Sequence, residues 1–398
     1  MRLENKKSLS SGLTSKYVFI LSPFWLEVVD FKKYFIAIPG FPYTLGMISF
    51  IFLGLPKYKV YKDWNNDMVK ALIIILFGFF LGSFFGDLVY ESLSRSIGLI
   101  PVVFSIIGFS YYFEYKLFKR FLDLFFIVIL IRWSLYVINI TFLDGSLNSY
   151  SDTFVYDDKV RNHHIPGLYI TLSTIYIINR FCFEKKRYTI SAYLLLAFSL
   201  VVCVMLESRS NLIFLLFTFI FGLFFRNKKI SGFVLRASLI VIAFIFIFSF
   251  FFKDIDFISQ RFDATDSEYL ENSNRGRSLA YISFLPTLLS NPLGKGLKDI
   301  YVDIGLDFKV LMHNQYATFM LAGGVISFLG IYFLILGYIR MSKSVYRSTD
   351  QISYSDFALF MSGTLFLLTL SSIELFGGAV ANLMFGGLIY LGRKSIQF

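Results

Sequence analysis

The chain has 398 residues, of which 56% are hydrophobic, 20% aromatic and only 16% charged, with a net charge of +11. A soluble domain carries about a quarter of its residues as Asp, Glu, Lys or Arg, so this composition excludes an ordinary soluble fold. The apolar residues come in runs of about twenty, long enough to cross a bilayer core as helices. The expected fold class is therefore all-α: a polytopic integral membrane protein of 11–12 transmembrane helices, forming one transmembrane helical domain over residues 1–398.

In chain order, Arg2, Lys6, Lys7 and Lys16 precede a first apolar stretch, Tyr17 to Val29. It lacks a small-residue cleavage site and leads into further hydrophobic sequence, so it does not read as a cleavable signal. Eleven spans follow, at roughly 34–55, 68–90, 96–113, 121–142, 163–183, 188–207, 211–226, 231–252, 313–339, 355–374 and 377–392. Six connections are basic: Lys57 to Lys62, Lys116 to Arg120, Lys185 to Arg187, Arg226 to Lys229, Arg340 to Arg347, and Arg393 with Lys394. They alternate with neutral or acidic ones, such as 143–162 with Asp144, Asp152, Asp157 and Asp158. This is the positive-inside pattern, which puts the basic set in the cytoplasm and accounts for the net charge without a nucleic-acid partner. Eleven spans and a cytoplasmic C-terminus leave the basic N-terminus outside. A twelfth segment at 17–29 removes the conflict, and an interfacial helix there is the alternative.

Several polar residues stand out against this apolar background. Arg132, in "FFIVILIRWSLYVINI", falls inside the fourth span. A charge at that depth costs a few kcal/mol or more and is by default a functional-site hypothesis; a structural ion pair is the other reading. His163 and His164 stand at the outer start of the fifth span, with no further ligands at zinc-binding spacing. They read as interface residues open to substrate contact. Asn139-Ile140-Thr141 sits inside a span, which discounts it as a glycosylation acceptor. Cys182 and Cys203 read as packing residues.

In "LESRSNLIF", residues 206–214, almost nothing joins two apolar runs, and Glu207 and Arg209 sit at the outer surface. An arginine there either snorkels to the interface or binds an anion. One extramembrane segment is large: Lys253 to Met312, an expected loop (253–312) on the non-cytoplasmic side, and loops of this length are usually functional. It contains "NSNRGRSLAYISFLPTLLSNPLGKG", in which Arg275 and Arg277 precede a short apolar helix and a tight turn at Pro292 to Gly296. "LGKG" is not a nucleotide-phosphate loop, because the first glycine of that motif is missing: position 289 is Leu.

The loop ends in "VLMHNQYATFMLAGGVISFLG", with His313 and Asn314 at the doorway of the next span. On an unbroken helix, Gly324 returns to within about 20° of the His313 face, some ~16 Å deeper. Ala317 lies near that face too. The stripe of small residues so formed allows a helix or lipid chain to approach closely; an interfacial histidine above an ordinary packing seam is the bland alternative.

"SRS" between two spans, then "RGRS…NPLGKG" in a long outer loop, then "HNQY…AGGVIS", resembles the O-antigen polymerase and O-antigen ligase superfamily (Wzy-type proteins and their ligase relatives). The resemblance covers about residues 200–340. It implies a glycosyltransferase of the bacterial inner membrane with its active site facing the periplasm. The implied substrate is an oligosaccharide repeat unit on undecaprenyl diphosphate, and the implied catalysis is metal-independent with no cofactor. A chain-length regulator and a flippase are the implied membrane partners.

Carried over residue by residue, the family's histidine corresponds to His313, as base for the acceptor hydroxyl. Its arginines correspond to Arg209 and to Arg275 or Arg277, holding the diphosphate. Arg132, Asn314, Glu207 and His164 are the further candidate substrate-binding residues. The ligase branch is described by His-Asn, nine residues, Gly, two more, then Gly, Thr or Tyr; His313, Asn314 and Gly324 fit, but position 327 is Ser. The resemblance therefore favours an O-antigen or capsular polysaccharide polymerase, with the ligase as alternative. A lipid-linked sugar transporter or flippase is the rival of another class, and the sequence lacks the paired broken helices expected of one.

Overall fold

The computed structural model describes residues 51–55, 64–142, 155–156, 159–160, 164–180, 189–205, 211–212, 215–216, 280–298, 300–303, 309–311, 314–346, 356, 359–361, 363–364 and 379–396. These form eight principal helices: α1 (Asp67–Gly82), α2 (Val89–Phe109), α3 (Lys116–Phe142), α4 (His164–Ile177), α5 (Thr189–Met205), α6 (Ala280–Ser290), α7 (Gln315–Tyr346) and α8 (Ala379–Ile396). Two two-stranded antiparallel ribbons, which the all-α expectation did not include, join them: β1 (Val155–Tyr156) with β2 (Lys159–Val160), and β3 (Tyr301–Asp303) with β4 (Lys309–Leu311). Among the described residues, two helices are long and apolar enough to cross a membrane, Val89–Glu114 and Gln315–Ser344. Of the expected spans, 231–252 and the segment 17–29 lie outside the described residues, and 34–55, 211–226 and 355–374 are described only in part.

The chain divides into two compact units. The first comprises Met1–Leu122, Ala280–Gln351 and Leu367–Phe398. Here α1 begins at Asn66, whose side-chain Oδ1 accepts the Met68 N–H at 3.0 Å while its Nδ2 donates to the Ile389 carbonyl at 2.8 Å. One residue thus caps α1 and ties it to α8. Asp67 in the first turn suits the positive helix end; 3% exposed, it pairs with Arg340 of α7 at 2.7 Å. The two helices run antiparallel, since Asp67 meets Arg340 at one end and Gly82 meets Ala322 at the other.

The expected span 68–90 ends early, at Gly82. Ser83 closes α1 by donating both its N–H and its Oγ–H to the Phe79 carbonyl, and α2 starts at Val89. Phe84 and Phe85 made the hydropathy run on through what is a turn. Within α2, Pro101 leaves no gap in the core: Val102, Val103, Ile106, Ile107 and Phe109 are all buried. At the end of the unit that holds Asp67, Arg393 of α8 lies 3.6 Å from the Tyr111 ring centroid and donates to the Ile107 carbonyl. Arg340 and Arg393 come from two different basic connections and lie at this one end of the unit.

The second unit comprises Asp123–Leu279 and Ile352–Phe366. Leu130, Ile170 and Val202 form its core cluster, with Trp133, Ile177 and Leu195 packed against them. Antiparallel pairing of α3 with α4 follows from two ring stacks: Phe126 on Tyr176 at 4.2 Å and Trp133 on Tyr169 at 5.3 Å. Asp123 of α3 accepts from Tyr176 Oη at 2.8 Å and from Arg180 Nε at 3.1 Å. Thr174 and Ser199 hydroxyls meet at 2.7 Å between α4 and α5.

Candidate active site

The geometry of the first unit centres on α7, which is not one continuous helix. Gly324 adopts φ 57°, ψ −145°, a left-handed backbone that only glycine takes up without strain. The break interrupts the hydrogen-bond ladder and would leave polar backbone exposed inside an apolar span, where each unsatisfied group costs several kcal/mol. The turn after α6 fills that need. Pro292 O accepts the Val325 N–H at 2.8 Å, Lys295 N–H donates to Leu321 O at 2.9 Å, and Gly296 N–H donates to Ala322 O at 2.9 Å. Two turn glycines, Gly294 at φ 88° and Gly296 at φ 78°, shape the backbone to make these contacts.

Close approach from the other side completes the junction. A Cβ on Gly82 would collide with the Ala322 carbonyl, and one on Gly78 would come within 2.6 Å of Ser327 Oγ. The expected tight turn at Pro292 to Gly296 is therefore present. What the sequence did not reveal is its partner, the break at Gly324. Signals were available: the double glycine at 323–324 and the paired glycines of "NPLGKG".

The head of α7 starts one residue after Asn314. Asn314 is its N-cap: Oδ1 accepts the Tyr316 N–H at 2.9 Å, and the backbone carbonyl accepts the N–H and Oγ–H of Thr318 at 2.9 and 3.0 Å. Asn314, singled out as a substrate contact, thus has its side-chain oxygen committed to the helix, and its Nδ2 stands outside the cap. The turn count from His313 to Gly324 assumed one unbroken helix; the helix starts at Gln315 and breaks at Gly324, so the continuous small-residue stripe is replaced by an interlock. The ribbon β3–β4 leads into this head, with Val302 paired to Val310. Val302 packs with Ala280, Ala317 and Leu321, and Phe284 closes the cluster. The β3–β4 ribbon, α6 and the α7 head thereby form one packed body.

Gln315, which the sequence reading passed over, is 0% exposed, and neither its Nε2 nor its Oε1 has a hydrogen-bond partner. A buried amide left unpaired costs about 1–3 kcal/mol, and such a group calls for a specific explanation. Its position, next to the Asn314 cap and two residues from His313, makes it the one orphaned carboxamide at the head of α7 among the described residues.

In the second unit, Arg132 is partly buried, with its Cζ 5.4 Å from the Trp133 ring centroid. Trp133 in turn stacks on Tyr169 with the rings 4° from parallel. Five residues before Tyr169, His164 is the first residue of α4. Arg132 and the start of α4 thus occupy the same end of the antiparallel α3–α4 pair, away from Asp123 and Arg180. His313, Arg209, Arg275, Arg277 and Glu207 lie outside the described residues.

Residues 194–342 match a family model described as O-antigen ligase. Over this segment the chain is similar to the O-antigen polymerase and ligase superfamily. The superfamily segment nearly coincides with the 200–340 stretch on which the resemblance was drawn. It takes in Glu207, Arg209, Arg275, Arg277, His313, Asn314 and the Gly324 break, and leaves Arg132 and His164 outside it. Neither the curated proteins nor the solved structures yield a match to this chain.

Proposed function

We propose that this protein is a glycosyltransferase that joins oligosaccharide repeat units carried on undecaprenyl diphosphate into O-antigen or capsular polysaccharide. It acts as a multi-pass protein at the periplasmic face of the bacterial inner membrane, where it works beside a flippase and a chain-length regulator. The superfamily match over residues 194–342 carries this reading, because it brings O-antigen polymerase or ligase activity.

The chemistry is a single displacement. An acceptor hydroxyl oxygen attacks the anomeric carbon of the donor sugar, the bond to the diphosphate oxygen breaks, and undecaprenyl diphosphate leaves with the electron pair. His313 takes the hydroxyl proton as the new bond forms, a contribution of typically ~10²- to 10⁴-fold. Arg209 with Arg275 or Arg277 stabilises the departing charge. Each guanidinium at about 4 Å from a phosphate charge interacts by roughly 4 kcal/mol at an effective dielectric near 20, and its planar fork suits bidentate binding. With no carboxylate nucleophile assigned, the anomeric configuration inverts. Glu207 orients Arg209; Arg132, Asn314 and His164 are the further substrate-binding residues.

The rigid interlock supports this assignment physically. It ties the head of α7 to α6 and its turn, and a site built on a packed body keeps its geometry. Gln315 supplies a further polar group there, its unpartnered amide available to the saccharide.

Transfer of finished polymer to lipid A-core, the ligase activity, is the second reading, favoured by the description of the matched family. Position 327 speaks for polymerase: it is Ser, where the ligase pattern has Gly, Thr or Tyr. The surface glycan of a deletion strain distinguishes them. Loss of the polymerase leaves single repeat units on the core, whereas loss of the ligase leaves long polymer on the lipid carrier. A normal glycan profile would end both readings.

A further inference from the structure

We infer that α6 and the Pro292–Gly296 turn form a re-entrant segment, with the exposed face of α6 embedded among the acyl chains of the outer leaflet. The 253–312 segment, on this reading, is not wholly a water-exposed loop.

Three observations converge. First, the turn sits deep along α7. Its hydrogen bonds reach Leu321, Ala322 and Val325, six to ten residues beyond Gln315, the first residue of a candidate membrane span. At ~1.5 Å per residue this is roughly 9–15 Å along the helix, comparable to the outer half of a hydrocarbon core of ~30 Å. Irregular backbone is tolerated at such depth only where protein covers it. Gly294, Gly296 and Leu297 are buried, and the bonds across the Gly324 break satisfy the turn.

Second, α6 shows its apolar residues outward. Tyr281, Ile282, Leu285 and Leu289 are 52%, 69%, 57% and 71% exposed, and their spacing of three to four residues from Ile282 onward puts them on one helical face. The opposite side, Ala280 and Phe284, packs on Val302, Ala317 and Leu321. A water-facing helix of this kind would leave a large apolar patch uncovered.

Third, this face is continuous with one that lipid must cover. The Pro292–Val325 bond brings the end of α6 to the start of an exposed stripe on α7: Val325, Phe328, Leu329, Tyr332, Ile335 and Ile339. In a span as apolar as α7, such a stripe faces acyl chains. Leu293, also exposed, links the two surfaces. One hydrocarbon phase covers both.

The experiment uses the full chain in native membranes, with Cys182→Ser and Cys203→Ala as background. Single cysteines replace Leu285 and Leu289, exposed positions where the change is mild. A charged, membrane-impermeant maleimide is applied from outside, before and after denaturation in detergent. Both sites are expected to label about tenfold more slowly in the folded protein, because the reagent consumes thiolate and apolar surroundings suppress it. A fluorophore attached there through an uncharged maleimide is expected to be quenched by lipids carrying a spin label on the acyl chain. Labelling at the denatured rate would overturn the inference, as would oxidative cross-linking of two copies through Leu289→Cys, which would make the face a contact between chains. The readout does not involve glycan synthesis, so the inference stands or falls apart from the proposed activity.

Discussion

The N–H of Val325 donates to the carbonyl of Pro292 at 2.8 Å, across the place where Gly324 breaks the longest helix in the described structure. This bond joins two stretches of the superfamily segment that lie over thirty residues apart in sequence. It explains why "NPLGKG" and "AGG" accompany each other here: one supplies donors and an acceptor, the other the freed backbone groups. The consequence for function is mechanical. α6 and the β3–β4 ribbon pack on the head of a helix whose own discontinuity receives the turn after α6.

Gly324→Ala tests this joint. A side chain at φ 57° is strained, and the added Cβ would collide with the Pro292 carbonyl. This positive-φ, extended-ψ backbone is essentially restricted to glycine and costs another residue about 1–3 kcal/mol before any clash. The variant is expected to unfold in detergent at a temperature lowered by several degrees, about 4 °C or more, and to lose activity in step. Thermal unfolding of the purified chain is the measurement, with Gly386→Ala as control: a Cβ there meets nothing nearer than 3.4 Å. Equal stability of the two variants would show that the break carries no constraint.

A second prediction concerns Asp123. Its carboxylate accepts from both Tyr176 and Arg180, and the Asp123 and Arg180 side chains are 17% and 15% exposed. Removing one partner of a buried pair costs about 3–5 kcal/mol; partial exposure brings the expected loss for Asp123→Asn below that, to about 2 kcal/mol. Asp123→Leu with Arg180→Leu removes both charges of the pair and is expected to be less destabilised than Asp123→Leu alone. Denaturation of the three variants in the same detergent measures this. Glycan synthesis per folded molecule is expected to stay unchanged, since the pair lies at the end of α3–α4 away from Arg132.

The described helices and their order were legible because apolar runs about twenty residues long leave few alternatives. Their ends were less so: Phe84 and Phe85 carried the hydropathy past Gly82, where a serine cap stops the helix. The break at Gly324 was hidden for a different reason. Periodicity counts residues on a face and assumes helical dihedrals throughout, whereas the break depends on a distant turn that no local window contains. His313 with Asn314 was visible as polar residues at an apolar doorway, yet which side chain does chemistry and which caps the helix was not. Asn314 turns out to serve α7 through its oxygen, and the orphaned amide belongs to Gln315, a residue that looks like any other helix former in the sequence.

Gln315→Met separates structure from function at that position. Methionine keeps the length and removes two buried polar atoms that lack partners, so stability is expected to stay level or rise by about 1 kcal/mol. If the amide serves the reacting groups, chain extension falls, by roughly tenfold for one lost hydrogen bond of about 1.4 kcal/mol. The pairing of unimpaired melting with shortened glycan is the expected outcome. A stabilised variant with wild-type glycan length would reduce Gln315 to a packing residue.

The assigned chemistry is tested most directly at His313 and Arg209. His313→Ala removes the base and is expected to slow extension by ~10²- to 10⁴-fold, read as the loss of long glycan at matched membrane expression. Arg209→Lys keeps a positive charge but loses the two-pronged fit to phosphate; it is expected to retain more activity than Arg209→Ala, with the difference appearing in both donor affinity and turnover. Excess chelator is expected to leave synthesis intact, since guanidinium groups rather than a metal carry the leaving-group charge. If His313→Ala extends chains normally, or if synthesis stops on chelation and resumes with a divalent cation, the roles given to these side chains are wrong.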